Sequence, residues 1–346
     1  MRRQQRGSAL IIAMLIAALV AAISVRLAEA FYLQVDQAES RQQTGWQQVY
    51  VQGAETLALR LLDADSMQTR VDHLQESWAQ SINVMPTDHG WIRPALQDAQ
   101  ALFNLNNVLI KSAYADDAGA ALTIRLSPMQ KQFVRLLQSF PDYPVSEADA
   151  VMMTEALIDW IDADDYVSGQ GGAESLYYSA FEPALQPANQ PLTDVSELVH
   201  VRYFTPQLIE RLRPWVTVLP AASALNLNTT PVQILATLNR ADKLQPLALE
   251  SLQVLDNLRR RQVFNSIEEF FQHPDVQRVM SDAEQNSGVA QVSLFSVSSQ
   301  WFVLTAAVST GLENSQWQSL LFRPQHDPAE AVKNSVPYVW SRSRQW

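Results

Sequence analysis

The chain has 346 residues, of which 47% are hydrophobic and 18% charged, a balance typical of folded globular proteins and long enough for two or three compact units. Its formal net charge of −11 disfavours binding to nucleic acids or anionic lipid surfaces, because phosphate groups are bound by clustered cations. The absence of cysteine excludes disulfides, thiolate metal sites and cysteine nucleophiles.

The chain begins with a long apolar segment that predicts a membrane-crossing helix. Residues 8–25 contain no charged side chain and would form a helix of roughly 27 Å, close to the ~30 Å of a bilayer core. Three arginines among the first six residues predict that the N-terminus stays in the cytoplasm while the rest crosses. A second interpretation stays open, because residues 28–30, Ala-Glu-Ala, have the form of a signal-peptidase site.

The apolar segment continues in phase into an amphipathic one, so a single helix is predicted from about Ser8 to about Leu62. Apolar residues recur at i, i+3, i+4 and i+7 from Trp46 onward, which favours a retained anchor over a signal peptide. Gly45 and Gly53 are expected to weaken the helix by about 1 kcal/mol each relative to Ala. The residues expected on its membrane and packing surface are Leu10, Ile11, Ile12, Leu15 and Leu19.

Beyond this helix the hydrophobic pattern changes twice. Residues 91–108 have weak strand character, whereas residues 126–282 carry repeated helix-start signals and predict short helices. Residues rich in Val, Phe and Thr then predict strands at 292–299, 301–309 and 317–322, followed by an irregular tail. A sheet interrupted by a helical block predicts an α+β fold. The helix starts are predicted at Ser127-Pro128, Ser146, Thr205-Pro206, Thr230-Pro231 and Ser266.

The densest polar segment is DWIDADDYVSGQGGAE, residues 159–174, within a stretch from Leu136 to Val201 that has 12 acidic residues and no Lys or Arg. Several of its carboxylates fall near the C-terminus of a predicted helix, where each is unfavourable by roughly 0.3–1 kcal/mol. A hard cation would compensate, and Ca²⁺ accepts six to eight oxygen ligands. The spacing is not that of an EF-hand, since Glu174 falls at position 13 counted from Asp162. The alternative is a solvated acidic loop.

Several of these motifs together resemble a known family. Gly7 and Ser8, after basic residues and before an uncharged helix, resemble a type IV prepilin leader, which implies cleavage between them by prepilin peptidase and methylation of the new N-terminus. Most prepilins carry Glu at the fifth mature position, which is Ile12 here, and its absence resembles the K-type minor pseudopilins of type II secretion. The run at 104–106, Asn-Leu-Asn, and residues 159–178 are similar to the same family.

The resemblance implies a subunit at the tip of the type II secretion pseudopilus that initiates or caps the filament. It implies a single-pass protein of the bacterial inner membrane with its bulk in the periplasm. The implied partners are the I- and J-type minor pseudopilins, the major pseudopilin and prepilin peptidase, with no nucleic acid. The implied calcium ligands are Asp159, Asp162, Asp164, Asp165 and Glu174.

The resemblance also implies the architecture: a pilin-like long helix and a small antiparallel sheet, with an inserted all-α domain of helix-hairpin-helix or SAM-like units. The expected divisions are a leader at 1–7, a packing helix at 8–64, a pseudopilin α/β domain at 65–125 and 288–325, a helical insertion at 126–287 and a tail at 326–346.

The sequence shows no catalytic constellation. Its five histidines are widely separated, and it has no HExxH, GxSxG, P-loop or GxGxxG motif. Residues 224–238 resemble the opening of DNA-binding helix-hairpin-helix repeats, but residues 239–242 lack the glycines whose amides would contact phosphate. The prediction is therefore a non-enzymatic structural subunit. The alternatives are a calcium-binding periplasmic binding module and a hydrolase exported by an ordinary signal peptide cut after Ala30.

Overall fold

The computed structural model describes residues 6–115, 117, 119, 121–280, 294–311, 313–324 and 336–345. Its first element is helix α1, Arg6–Ser66, which is continuous through Gly45 and Gly53. The predicted single long helix is therefore confirmed. Most of the predicted leader lies outside the described residues, while Gly7 and Ser8 fall in the first turn of α1.

An antiparallel sheet packs against the C-terminal part of α1. In the described part of the chain the strands are β1 (Met85–Thr87), β2 (Gly90–Asp98), β3 (Phe103–Asn104), β4 (Val216–Thr217), β5 (Leu225–Asn226), β6 (Phe295–Ser296), β7 (Trp301–Thr310), β8 (Glu313–Phe322) and β9 (Tyr338–Gln345). The main sheet has the order β1-β2-β7-β8-β9, and every neighbouring pair in it is antiparallel. The short pairs β3–β4 and β5–β6 are parallel and lie outside it.

Alternation along β7 explains how the sheet meets α1. Side chains two residues apart on one face of a strand point the same way, and in β7 these are apolar. The buried residues of this small core are Val51, Ala54, Ala58 and Leu62 from α1, Trp78 from the segment just before the sheet, Ile92 and Leu96 from β2, Phe302, Leu304, Ala306 and Val308 from β7, and Trp317 and Leu321 from β8. The stripe predicted in the second half of α1 is therefore only partly confirmed. Of its members Ala54 and Ala58 pack on the sheet, whereas Val49 and Leu57 are exposed. The contact face is turned by about one residue, so that Val51 and Leu62 complete it.

The second part of the molecule is helical. The helices after α1 are α2 (Leu122–Arg125), α3 (Pro128–Leu137), α4 (Glu147–Ile161), α5 (Ser175–Tyr178), α6 (Pro206–Leu212), α7 (Val232–Leu235), α8 (Leu249–Arg261), α9 (Ile267–Gln272) and α10 (Pro274–Met280). All of them lie in sequence between β2 and β7, which are neighbours in the main sheet. This arrangement is the predicted α+β fold, with a helical block between two paired strands.

Four of the five predicted helix starts are confirmed by capping bonds. The side chains of Ser127, Ser146, Thr205 and Ser266 each accept a hydrogen bond from the backbone N–H three residues later. At the fifth, Thr230-Pro231, a helix does begin, but Pro231 is its N-cap residue and α7 starts at Val232. Thr230 does not cap it, because its hydroxyl donates to the carbonyl of Asn226.

The strand predictions were less accurate at their edges. The strands predicted at 301–309 and 317–322 are confirmed as β7 and β8, and the weak signal at 91–108 corresponds to β2 followed by short 3₁₀ turns. The strand predicted at 292–299 is wrong over its described part, where only two residues pair, and residues 292 and 293 lie outside the described residues. The irregular tail is also wrong for β9, whose alternation of aromatic and polar residues pairs with β8.

The Asn-rich runs brace loops rather than forming an exposed motif. The side-chain amide of Asn106 donates to the carbonyl of Leu192 at 3.0 Å and accepts from its N–H at 2.9 Å. Asn228 forms the same pair of bonds with Phe264, both at 3.0 Å. Each buried amide thus forms the two hydrogen bonds that a neighbouring strand would otherwise form with that residue. The backbone N–H and carbonyl of these loop residues are therefore paired inside the core.

A buried polar network joins the sheet to the helical part. Asp98, at the end of β2, accepts hydrogen bonds from the amide of Asn226 at 3.0 Å and from the hydroxyls of Thr229 and Ser299, both at 2.6 Å. Burial raises the pKa of Asp98 to about 6 in spite of these donors. The network fixes how the loop at β5 sits against the sheet, because hydrogen bonds are directional where apolar packing is not.

Candidate metal centre

Helix α4 places carboxylates at its own C-terminus. It begins at a Ser146 cap and ends at Ile161, with Asp159 in its last turn and Asp162 as the C-cap residue. The last turn has no basic residue, so nothing on the helix itself offsets the negative end of the dipole. The unfavourable arrangement predicted from the sequence, carboxylates at the C-terminus of a helix, is therefore present in the structure.

Glu174, the residue just before α5, lies beside these two aspartates. Carboxylate oxygens of Asp159, Asp162 and Glu174 all lie within 4.8 Å of one another, and all three residues are buried. At that separation two unit charges repel by about 3 kcal/mol at an effective dielectric constant of about 20. Three ionised carboxylates are therefore unstable together without a counter-charge.

Hydrogen bonding satisfies only part of this cluster. Both carboxylate oxygens of Glu174 and the Oδ1 atom of Asp162 are buried without a hydrogen-bond partner among the described residues. Buried polar atoms in native proteins are almost always paired, so unpaired carboxylate oxygens need an explanation. Burial, together with the Asp159 and Asp162 carboxylates, raises the pKa of Glu174 to about 8. Burial also raises the pKa values of Asp159 and Asp162.

The glycine loop between α4 and α5 is held closed by backbone donors. The N–H of Ser168 donates to both oxygens of Asp159 at 3.1 Å, and Glu155 accepts from the N–H groups of Gln170 and Gly171 at 3.0 and 2.8 Å. The loop therefore has fixed anchors on α4. Glu155 was missed in the sequence because it lies outside the acidic segment, one helical turn before Asp159.

Gly172 lets the loop approach the carboxylate closely. A Cβ atom on Gly172 would lie 2.2 Å from Oδ2 of Asp159 and 2.5 Å from the carbonyl oxygen of Ser168, well inside van der Waals contact. Only glycine therefore fits without displacing the loop. The consequence is a tight enclosure in which a carboxylate and a backbone carbonyl, both hard oxygen donors, lie close together.

The other two predicted ligands lie at the rim of the cluster. Asp164 accepts from the N–H of Tyr166 at 3.0 Å, and Asp165 accepts from the N–H of Ser175 at 3.2 Å. Lys111 lies 3.6 Å from Asp162 and 3.8 Å from Asp164. The sequence could not identify this cation because it lies some fifty residues upstream, and as a half-exposed ammonium it is a weak counter-charge for the buried Glu174.

A second group of acids, near the end of α1, has a different environment. Asp65, Asp72 and Glu76 also bring carboxylate oxygens within 4.8 Å of one another. The guanidinium of Arg323 bonds to Asp65 at 2.9 Å and to Asp72, and Glu76 accepts from the indole N–H of Trp78 at 2.7 Å. This group already contains its cation, so it is an ion-pair cluster of the fold rather than a candidate metal site.

Comparison with known proteins identifies the family of the chain. A family model described as "Type II secretion system (T2SS), protein K" matches residues 101–221. The chain is 33% identical over 331 residues to type II secretion system protein K of Klebsiella pneumoniae, with 93% of both chains covered. The chain belongs to the type II secretion system protein K family. The resemblance stated from the sequence is thereby confirmed.

Other relatives extend the likeness over most of the protein. Protein K of Pectobacterium carotovorum subsp. carotovorum is 32% identical over 93% of each chain, and that of Pseudomonas aeruginosa is 31% identical over 90% of this chain and 86% of its own. Among solved structures, the GspK-GspI-GspJ complex from enterotoxigenic Escherichia coli contains a chain that is 25% identical, with a TM-score of 0.69. That match covers 89% of this chain and 99% of the other, so the α+β fold is confirmed as well.

The predicted membrane residues lie together on one exposed helix. Leu10, Ile11, Ile12, Leu15 and Leu19 all belong to α1 and are exposed to solvent in the isolated chain. Among the described residues, α1 is the one helix long and apolar enough to span a membrane. Length and composition alone do not separate a membrane span from a signal sequence. Family membership favours a membrane span for α1, a helix that continues into the folded core.

Proposed function

We propose that this chain is the tip subunit of a type II secretion pseudopilus and assembles there with I- and J-type minor pseudopilins. The observation that carries the proposal is the similarity to a chain of the GspK-GspI-GspJ complex over 89% of this protein. Membership of the protein K family supports a structural role in secretion, and we further propose that the chain catalyses no reaction.

Helix α1 would provide both the anchor and the packing surface. Its first 18 residues after Gly7 are uncharged, while its C-terminal part is fixed to the sheet through Val51, Ala54 and Ala58. The same apolar surface can face lipid in the inner membrane before assembly and partner helices afterwards. We place the remainder of the chain in the periplasm, since the positive charges precede the helix.

The shape of the molecule supports a position at the filament end. The helical part has its own large apolar core, which includes Phe133, Leu157 and Phe264, beside the smaller core shared by the sheet and α1. A bulky head beside the packing helix would collide with neighbours along a shaft but not at an end. Ile12 agrees with this position, because a subunit with nothing above it has no partner amine for a buried carboxylate to neutralise.

We further propose that the head binds Ca²⁺ through Asp159, Asp162 and Glu174. The three carboxylates offer hard oxygen donors, and three of their oxygens have no other partner among the described residues. Bound calcium would supply the positive charge that this cluster lacks. Asp164 and Asp165 stand close enough to contribute at the rim, and the loop anchored by Glu155 would hold the ligand set in place.

The proposal is tested first by the N-terminus of the mature chain. Intact mass and N-terminal sequencing of protein recovered from a membrane fraction should give a chain that begins at Ser8. Co-purification with the I- and J-type subunits should then depend on α1. A chain that begins after Ala30 would lack the packing helix and would end the pseudopilus proposal in favour of a soluble calcium-binding protein.

A further inference from the structure

The main sheet has a second face, on the side away from α1. Successive side chains of a strand point to opposite faces, so the residues that alternate with those on the α1 side belong to this second face. On the α1 side, Leu304 of β7 lies in the core, and Ser319 of β8 and Arg342 of β9 both donate to Glu55 of α1. The second face, which we call the open sheet face, therefore carries the odd-numbered residues of β2 and β7, the even-numbered residues of β8, and residues 338, 341 and 343 of β9.

One end of the open sheet face is aromatic. Trp301 pairs in register with Phe322, Phe322 pairs with Tyr338, and a bulge in β9 adds Trp340. The ring centroid of Trp301 lies 4.5 Å from that of Phe322 and 5.3 Å from that of Trp340, and those of Phe322 and Tyr338 are 5.5 Å apart. Trp340 is 51% exposed and Tyr338 is 43% exposed. These four rings, which we call the aromatic row, are therefore one continuous patch that is partly open to solvent.

Uncharged polar side chains occupy the part of the open sheet face beyond the aromatic row. Thr305, Gln318 and Ser343 are paired side by side across three strands, and Leu320 joins them to the aromatic row. Gln316 lies two residues beyond Gln318 on β8, and both it and Ser343 are exposed. Their amides and hydroxyls can each donate and accept hydrogen bonds. With their neighbours these residues form the polar rows, which are Gln97, Thr305, Gln316, Gln318, Ser341 and Ser343.

Charge is nearly absent from the open sheet face, although the chain has 36 acidic residues and a net charge of −11. None of the described positions that define this face is Asp or Glu. Arg93 of β2 is the basic residue among them, and its guanidinium lies 5.9 Å from the ring centroid of Trp91. A nearly uncharged surface in an acidic protein is complementary to a ligand that carries no charge itself.

The helical part of the molecule faces the polar rows across a cleft of about 410 Å³, and all six residues of the polar rows line it. Of the charged residues that also line the cleft, Asp98 is bonded in the buried network described above. Asp194 accepts from the N–H of Ser196 at 2.7 Å, and Nε of Arg213 lies 3.4 Å from a carboxylate oxygen of Glu210. A ligand in this cleft would therefore meet hydrogen-bonding groups rather than a net charge, and ligand sites of about this volume are common.

We propose that the open sheet face and its cleft bind a neutral, extended saccharide chain. Sugar rings present C–H groups on their faces, which pack on aromatic rings, and hydroxyls at their edges, which pair with amides and hydroxyls. From Phe322 to Gln316 the face is roughly 20 Å long by the rise of a strand, which suits a β-1,4-linked chain because that linkage keeps successive rings extended.

Other occupants fit the open sheet face less well. An anionic lipid surface or a nucleic acid would need clustered cations, which this face lacks. A protein with an apolar contact surface would bury the amides of the polar rows, and burying an amide is unfavourable unless it is paired. The face lies on the opposite side of the sheet from α1, so it stays open when α1 packs in a membrane or against other helices.

The test uses the full chain in a detergent whose head group is not a sugar, with calorimetric titration of neutral hexasaccharides. The β-1,4-linked hexamer of glucose should bind at least about tenfold more tightly than the α-1,4-linked hexamer, which has the same composition but a curved chain. Trp340→Ala should weaken binding about tenfold through loss of the stacking ring, and Trp340→Phe should stay within a few-fold of the wild type. Tyr114→Ala, at a 58% exposed tyrosine outside the face, should leave binding unchanged.

A second variant tests the polar rows separately. Gln316→Ala removes an exposed side chain, so it should keep the Tm of the wild type and still weaken binding several-fold. If Trp340→Ala unfolds, Gln316→Ala decides the question. Absence of binding to the wild type at millimolar saccharide, equal binding of the two hexamers, or equal weakening by Tyr114→Ala would overturn the proposal. Loss of self-association in Trp340→Ala without any saccharide binding would also overturn it, by assigning the face to a second copy of the chain.

Discussion

Replacing Glu174 by Gln tests the metal centre most directly. The substitution keeps the size of the side chain but removes one of three buried carboxylates, including two of the three oxygens that have no partner among the described residues. Without calcium the variant should be at least as stable as the wild type, because it replaces a buried carboxyl whose pKa is raised to about 8 and which repels its neighbours whenever it ionises. With calcium the order should reverse.

The size of the reversal follows from binding linkage. A ligand at a hundred times its Kd stabilises the folded state by about 2.7 kcal/mol, and at its Kd by about 0.4 kcal/mol. If the loss of one carboxylate weakens calcium binding about 100-fold, the same calcium concentration should stabilise the wild type by the larger amount and Glu174→Gln by the smaller. Thermal unfolding in calcium and in chelator, with calorimetric titration for the affinity, measures both states.

Glu155→Gln is the matched control. It removes one negative charge from the same helix, and its amide oxygen can still accept from the N–H groups of Gln170 and Gly171. Its calcium response should stay within a few-fold of the wild type. The reasoning is refuted if calcium does not stabilise the wild type, or if Glu174→Gln keeps the full calcium response.

Three further outcomes follow from the geometry. Gly172→Ala should destabilise the chain by roughly 1–3 kcal/mol and weaken calcium binding, because the new Cβ would lie 2.2 Å from Asp159; an unchanged Tm and affinity would contradict this. Burial raises the pKa of Asp98 to about 6, above the unfolded value near 3.9, so its stabilising contribution is complete below pH 4 and is lost as pH rises through 6. Between pH 4.5 and 7 the Tm of the wild type should therefore fall further than that of Asp98→Asn. The difference in unfolding free energy over this range should be on the order of 3 kcal/mol, and parallel Tm profiles would exclude the linkage. Asn106→Ala should cost about 2–4 kcal/mol in urea unfolding, because it leaves the buried N–H and carbonyl of Leu192 unpaired; a loss below about 1 kcal/mol would show that water replaces the amide.

The parts of the fold that the sequence predicted are those with strong local signals. The apolar run from Ser8 and the stripe after Trp46 predicted α1 to within a few residues, and side-chain caps such as Ser146 predicted helix starts because their bonds are local. The tail strand β9 was missed because it is determined by its pairing partner β8, which the local sequence does not reveal. The cap expected at Thr230 was wrong for a local reason, since its hydroxyl bonds backward to the carbonyl of Asn226.

In the candidate metal site, too, the sequence predicted some features and not others. Asp159, Asp162 and Glu174 were named from the sequence, together with Asp164 and Asp165, because residues 159–178 resemble the protein K family. The acidic helix end by itself left a solvated loop as the alternative. The mutual approach of Asp159, Asp162 and Glu174 could not be read from spacing, because it depends on the loop bonds to Glu155 and to Asp159 itself. Lys111 comes from a different part of the chain and carries no local signal.

The two acidic clusters show why the metal proposal rests on missing partners rather than on acidity. Both bring three carboxylates within 4.8 Å, and both are largely buried. Near the end of α1, Arg323 enters the cluster and bonds to two of the acids, so the protein supplies its own cation. At the end of α4 the available ammonium, that of Lys111, stays at the rim and the oxygens of Glu174 remain unpaired among the described residues. Since burying unpaired charge is strongly unfavourable, our calcium proposal is confined to the second cluster, and the first needs no external cation.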